Sequence, residues 1–469
     1  MTSRRTSRSA LKQPATIVLA CVALAVAVPA CGKSGSPDGG SSAAGGGDTS
    51  NGGSDTSGGG SSGKSGGSTG KAGSSAHSGD TGSAGDSNEA GAGGEVDSSS
   101  PNFQPAIVVI GQPDFTSNAA PTKPSAKNTD SPAGSAAFDG TRLFTPDTST
   151  HRVLGFSSVP TANGAAAKVV LGQASLTSGD TGTTAASTYL PQSLHANSKT
   201  LAVADAGNHR VLLFPTTAAS GASASVIVGW PDAATPSEGC AADRLRSPAA
   251  AFLAGNRLLV ADRGNHRVLI WDQLPTANGV AADHVLGQTT LSSCVSNDSS
   301  HQGISAVRSA GTLSSPTDVW SDGKRVIVAD RDNNRVLVWS QFPSDDGVAA
   351  DVVIGQTDFD LARDAASASG LLQPAAVTFG NGRLYIADAG HNRVLGYPGI
   401  PTENGASADL VLGQNSFTRA AANDDAQTGS DGDGPTARTL SYPSGVAVTN
   451  DALIVSDTLN QRVLIYRAP

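Results

Sequence analysis

The chain has little of what builds a membrane-spanning protein or a nucleic-acid binder. The apolar stretch Ala15 to Val28 is 14 residues long, short of the ~20 a helix needs to cross a bilayer. Basic charge is outnumbered, with 31 Lys and Arg against 40 Asp and Glu and a net charge of −9. That balance argues against a nucleic-acid partner. Cysteine is scarce: Cys21 and Cys31 lie near the N-terminus, which leaves Cys240 and Cys294 as one pair in the rest of the chain. The histidines are scattered, so no set of three or four donors converges as a zinc site requires.

What the chain does have is one phrase spelled six times: an aspartate, a short turn, then Arg-Val-Leu and an aromatic. The copies begin at Asp147, Asp205, Asp262, Asp330, Asp388 and Asp457. Arg152, Arg210, Arg267, Arg335, Arg393 and Arg462 follow five residues on, and Phe156, Phe214, Trp271, Trp339, Tyr397 and Tyr466 nine residues on. Self-similarity at this period means stacked copies of one structural unit. Outside the phrase no residues recur in a catalytic arrangement.

Each unit reads as four short antiparallel strands. In the third, Ala249–Leu253, Arg257–Ala261, His266–Trp271 and His284–Gln288 are β-rich runs. They are separated by the turn signals Gly255-Asn256, Asp262 to Asn265 and Pro275 to Gly279. Leu258 to Ala261 is apolar on both faces, which suits a sheet packed between two others. Radially packed sheets of this kind make a β-propeller. The last copy ends after its third strand, whereas an orphan fourth strand, Ile107 to Gln112, precedes the first copy. Pairing the two predicts an all-β, six-bladed ring closed by the N-terminal strand, with no sheet edge left open.

The phrases Asp205-Ala-Gly-Asn208-His209-Arg210-Val211-Leu212 and Asp262-Arg-Gly-Asn265-His266-Arg267-Val268-Leu269 resemble NHL repeats. The resemblance covers residues ~105–469 and implies the six-bladed propeller of that family. The first copy lacks the Gly and Asn, the fifth reads Gly390-His391-Asn392, and the second blade ends Val228-Gly229-Trp230 where the others end Gly-Gln. The repeated residues Asp205, Asn208, Arg210, Asp262, Asn265, Arg267, Asp330, Arg335, Asp388, Arg393, Asp457 and Arg462 read as structural. Asp accepts N–H bonds across the turn, Gly and Asn tolerate positive φ, and Arg pairs either with the Asp or with carbonyls of the neighbouring blade. His209 and His266 read as turn residues, and the terminal aromatic as packing between blades.

Residues 1–30 carry Arg4, Arg5, Arg8 and Lys12 ahead of the apolar stretch, which is the pattern of an export signal. Val28-Pro29-Ala30-Cys31 resembles a bacterial lipoprotein box, which implies cleavage before Cys31, lipidation there, and a place in the bacterial cell envelope facing the periplasm or exterior. A plain signal cleavage near Ala30 remains the alternative. Removal of residues 1–30 takes four positive charges and no negative ones, shifting the net charge from −9 to −13. Residues 31–104, rich in Gly and Ser, read as a flexible tether of roughly 45 Å span. In an oxidising compartment Cys240 and Cys294, placed in neighbouring between-blade connections on one face, are expected to form a disulfide.

The connections 113–131, 174–190, 231–247, 289–315, 357–373 and 415–442 are long and lie together on the face of the Asp turns. Such loops are often functional. The expectation is a monomeric binding or scaffold module that offers this face to a protein, peptide or glycan. The candidate face residues are His301, Arg308, Asp318, Asp424, Asp425, Asp431 and Asp433. The rival is a metal-dependent hydrolase or lyase working in the channel, where the first strands supply mostly small residues and only Gln192, His195, Thr317 and Asp318 as polar candidates. Asp431-Gly432-Asp433-Gly434, with Asp424 and Asp425 upstream, offers a loose calcium site without the spacing or terminal Glu of an EF-hand loop. No other cofactor and no catalytic residue is assigned.

Overall fold

The structure is a computed structural model that describes residues 102–230, 237–304, 307–432 and 434–468. The expected export signal, Cys31 and residues 31–101 of the expected tether lie outside these residues. Six four-stranded antiparallel sheets make six blades. Blade I comprises Ala137–Phe138, Leu143–Asp147, Arg152–Phe156 and Val169–Leu171. Blade II comprises Pro191–Ala196, Thr200–Asp205, Arg210–Pro215 and Val226–Val228. Blade III comprises Ala250–Ala254, Arg257–Asp262, Arg267–Trp271 and His284–Leu286. Blade IV comprises Pro316–Ser321, Val326–Asp330, Arg335–Trp339 and Val352–Ile354. Blade V comprises Pro374–Gly380, Arg383–Asp388, Arg393–Tyr397 and Leu410–Leu412. Blade VI comprises Pro443–Val448, Ala452–Asp457 and Arg462–Arg467, with Val108–Ile110 as its outer strand. The innermost strands touch in succession from I to VI and back to I, so the ring is complete.

Closure follows the sequence expectation. Val108, Val109 and Ile110 pair antiparallel with Ile465, Leu464 and Val463. The alternation of a strand then feeds two cores at once. Val109 enters the core between blades V and VI, while Val108 and Ile110 enter the core between blades VI and I. Closure extends further toward the N-terminus than the sequence suggested. Asn102 Oδ1 accepts the Val411 N–H at 2.9 Å, and Phe103 N–H donates to Val411 O at 2.9 Å. Asn163 does the same to Val109, Asn278 to Ile227 and Asn404 to Val353. Residues 102–110 therefore supply the outer turn of blade VI as well as its outer strand.

The outer strands end two residues before the sequence reading placed them. The cause is the glycine that follows each: Gly111, Gly172, Gly229, Gly287, Gly355 and Gly413 have φ of 82–95°. A Cβ there would lie within 2.0–2.7 Å of Thr129, Thr188, Leu245, Leu313, Leu371 or Leu440. Only Gly allows the turn and the close approach together. The small residues of the inner strands have a similar reason. At the VI–I boundary a Cβ on Gly445 would sit 2.0 Å from Gly134 O.

Each boundary between blades holds its own apolar core. The six terminal aromatics are buried there: Trp271 and Trp339 also donate Nε1–H to Val280 O and Val348 O. Val108, Val109 and Ile110 are at most 3% exposed. Burial of three such side chains contributes about 5–9 kcal/mol, comparable with the whole stability of a typical domain. A chain beginning at Phe115 is therefore expected to lose cooperative unfolding and to aggregate through the freed edge of blade VI. A shortened chain that melts as sharply as the full one, at the same temperature, would show that closure contributes nothing.

Candidate functional site

The repeated aspartate and arginine form a buried clasp in every blade. Arg Nε donates to Asp Oδ2 at 2.6–2.8 Å in all six copies, and all twelve side chains are fully buried. The other Asp oxygen accepts a backbone N–H from the connection that enters the blade, at 2.6–2.7 Å. The donors are Asp130, Tyr189, Arg246, Ser314, Leu372 and Ser441. The guanidinium is then spent on the connections. Arg267 Nη2 binds Ala241 O and Arg244 O of the incoming connection, and Nη1 binds Leu291 O of the outgoing one. Arg335, Arg393, Arg462 and Arg152 bridge incoming and outgoing connections in the same way. The arginine thus pairs with the Asp, one of the two alternatives raised from sequence, and its other bonds go to carbonyls of the connections instead of a neighbouring blade. The Cys240–Cys294 disulfide, with Cα atoms 6.2 Å apart, joins the same two connections that Arg267 bridges.

The departures from the repeat are accommodated by chemistry. The Asn that donates to Asp Oδ2 in blades II, III, IV and VI is replaced in blade V by His391, whose Nδ1 lies 2.8 Å from Asp388 Oδ2 and Nε2 2.9 Å from Asp364 O. In blade I the place is taken by Thr150, which meets Arg152 Nε at 3.1 Å. Trp230 stands where other blades have Gln. Its ring lies under Arg210 at 4.3 Å, and its Nε1 donates to Asn208 O. Arg210 accordingly directs Nη1 to Thr183 O, within its incoming connection. The five glutamines cap the carbonyl just before the clasp arginine, a role the Gly-Gln pairs did not reveal.

The residue before each Arg has φ of 53–57°, and it latches the next blade. His151, His209 and His266 accept the N–H of Leu190, Ser247 and Ser315 at Nδ1, 3.0–3.3 Å away. Asn334, Asn392 and Gln461 do the same with side-chain oxygen for Gln373, Tyr442 and Ser131. The histidines are therefore turn residues with a second task, holding blades I to IV together in their neutral form. Burial lowers the pKa of all three.

The residues proposed for the loop face do not converge. Asp298 and Asp424 have their carboxylates filled by N–H groups of their own loops, from Gln302 and Gly303 and from Thr428 and Gly429. The two longest connections thus share one motif, and each docks by a reciprocal amide pair, Asn297 on Asn333 and Asn423 on Asn460. Arg308 lies across Asn333 Oδ1 and Asp360 O. Asp425 accepts from Thr436 Oγ1 and Asp431 from Ala422 N–H, while His301 is exposed. Asp433 lies outside the described residues. Among the described residues no three His, Cys, Asp or Glu side chains group as metal ligands.

Asp318 sits elsewhere, inside the channel. Its Oδ2 accepts from Ser135 Oγ of blade I, across the ring, at 3.3 Å and from Val377 N–H at 3.1 Å; Oδ1 accepts from Val319 N–H. Burial pushes its pKa up to about 7, against these donors. His195 stacks on Phe252 with ring centroids 3.8 Å apart, accepts the Leu253 N–H, and is pushed down to about 4 by burial. Thr317 Oγ1 donates to Pro374 O. Sequence reasoning overlooked Arg263, Arg331 and Tyr442, which stand at the channel mouth on the connection face. Arg331 Nη2 reaches Gln373 Oε1 at 3.1 Å and Tyr442 Oη at 2.9 Å.

Comparison with models of known protein families finds no match, and the curated proteins hold no similar sequence. Among solved structures the chain is similar to the computationally designed Ika8 protein, in its crystal packing No. 1 in P63. The identity is 11% and the TM-score 0.37, covering 78% of this chain and 100% of that one. The fold stated above rests on the strand pairing itself.

The histidine latches predict a pH dependence. Their folded pKa values lie below the ordinary 6.5. Their contribution is therefore complete above that pH and is lost as pH falls below it toward the folded values. A variant carrying His151→Asn, His209→Asn and His266→Asn borrows the amide latch of blades IV and V. Denaturant midpoints of wild type and variant are expected to diverge between about pH 7.5 and about pH 5, with the wild type losing more. Parallel curves would rule the latches out as titrating groups.

Proposed function

We propose that this chain is an exported, lipid-anchored NHL-type propeller that binds a protein, peptide or glycan on its connection face. The observation that carries the reading is the clasp. Every blade spends a buried arginine on fixing the backbone of the loops above it, so the connections are held in place before any partner arrives. Preorganised loops lose little freedom on binding, which is the economy expected of a recognition surface. The loop tips remain open: Ile304 and Val307 of connection 289–315 are 62% and 63% exposed. Apolar groups grouped this way on a polar loop suit contact with a partner.

The six signature copies support the family reading. The basic residues, apolar stretch and Cys31 support export and anchoring in a bacterial envelope, with residues 31–101 as the tether. The channel gives the rival hydrolase or lyase little to work with. Asp318 is engaged by three donors of its own fold, and His195 accepts a backbone N–H while stacked on Phe252.

Two variants separate the parts of this proposal. Cys31→Ser is expected to move the chain from the membrane fraction to the released fraction without changing its melting temperature; retention on the membrane would remove the lipid anchor. Replacement of residues 299–307 by a short Gly-Ser link is expected to abolish capture of a partner from envelope extract at unchanged melting temperature. An unchanged captured set would remove the loop face as the binding surface.

A further inference from the structure

We propose that the channel mouth on the connection face binds a small oxyanion, a carboxylate or phosphate, between Arg263 and Arg331 with the Tyr442 hydroxyl. The inference rests on the reading of that face as the binding face, and not on export or anchoring.

The residue that follows each signature aspartate aims inward, over the start of the next blade's inner strand. Thr148 Oγ1 donates to Pro191 O of blade II and Thr458 Oγ1 to Pro132 of blade I, each at 2.7 Å. Blades II and V have Ala206 and Ala389 there. Blades III and IV have arginine, whose length carries the charge past the rim. Arg331 extends from blade IV to Gln373, just ahead of blade V, and to Tyr442, just ahead of blade VI. Its Nη1 pairs with Asp332 at 2.7 Å.

Arg263 has no such partners. It is half-buried, yet among the described residues its guanidinium makes no hydrogen bond and no ion pair. The charged and polar groups that act on it are Arg331, Asp332 and Tyr442, which places it at the mouth and facing a second cation. Burial and the charge of Arg331 both press Arg263 toward its neutral form, and arginine does not give up its proton. A half-buried guanidinium with no protein partner, beside another guanidinium, has its donors open to a ligand. The other nine arginine and threonine side chains of the clasp and rim positions all have partners; among these positions only Arg263 has none.

The geometry fits an oxyanion. A guanidinium presents paired N–H donors matched to two oxygens of a carboxylate or phosphate. Tyr442 Oη already accepts from Arg331 Nη2, so its own hydrogen is free to donate. Arg263 and Arg331 share one carboxylate, Asp332, so their charges sum to one net positive charge in a chain whose net charge is −9, which favours an anion here.

The test is calorimetric titration of the full chain at low salt with inorganic phosphate and, separately, with succinate. Saturable binding of either, at one site per chain, is expected. Phosphate alone identifies a phosphoryl ligand, and succinate alone a carboxylate ligand. Arg263→Ala is expected to weaken that binding at least about tenfold with no change in melting temperature, Arg263→Lys to retain part of it, and exposed Arg467→Ala to leave it unchanged. Binding of neither ion, or equal binding by Arg263→Ala, overturns the proposal. Because the probe is the ion alone, failure here leaves a loop-borne partner intact, and failure to capture such a partner leaves this site intact.

Discussion

The buried pairing of one aspartate with one arginine, made six times, is the constraint on which the rest of the structure depends. A charge pair taken out of water is expensive unless every remaining donor and acceptor is used. Here they are used. The aspartate gives one oxygen to the arginine and the other to the incoming backbone, and the arginine gives its remaining N–H groups to loop carbonyls. Removing either partner would leave a buried charge alone, at about 3–5 kcal/mol. The return is rigidity in segments that, among the described residues, have no named strand or helix of their own. Connections of this length ordinarily sample many conformations; in this ring their backbones are pinned within hydrogen-bond distance of the core.

Rigid blades alone do not make a ring. Neighbouring blades are held at two levels. On the connection face a residue in the left-handed region accepts an N–H from the start of the next blade. On the opposite face a turn side chain accepts an N–H from the outer strand of the preceding blade. The seam between the two chain ends is latched by both devices, through Gln461 with Ser131 and Asn163 with Val109. It is therefore built like the other five boundaries. The connection-face latches differ in chemistry around the ring: imidazole joins blades I to IV and amide oxygen joins the rest, so acid bears on the latches of one half only.

Much of this was legible in the sequence, because repetition averages out local ambiguity. Six copies of one phrase fixed blade number, strand order and the closing strand, and the placement of Cys240 and Cys294 in adjacent connections fixed the disulfide. What stayed hidden depended on side-chain direction. Asp424 read as a binding-face residue because nothing in its spacing shows that its carboxylate turns back onto loop N–H groups. Asp318 read both as part of the loop face and as a channel candidate; its strand carries it to the axis, where Ser135 from the opposite blade meets it. His391 looked like a displaced signature and is a functional replacement for Asn. Arg263 and Arg331 drew no notice because the position after the signature aspartate varies among Thr, Ala and Arg; only the two threonine contacts show that this position points to the channel.

The central claim, that the clasp pins every connection as firmly as the core itself, is tested most directly by native-state hydrogen exchange at six backbone amides. These are the amides of Asp130, Tyr189, Arg246, Ser314, Leu372 and Ser441, each donated to a clasp aspartate. The account predicts that all six exchange only through global unfolding, with the same free energy and the same denaturant dependence as amides in the middle strands of the blades. Fast exchange of these amides while the strand amides stay protected would contradict it, and would show the loops to be held by nothing stronger than the surface.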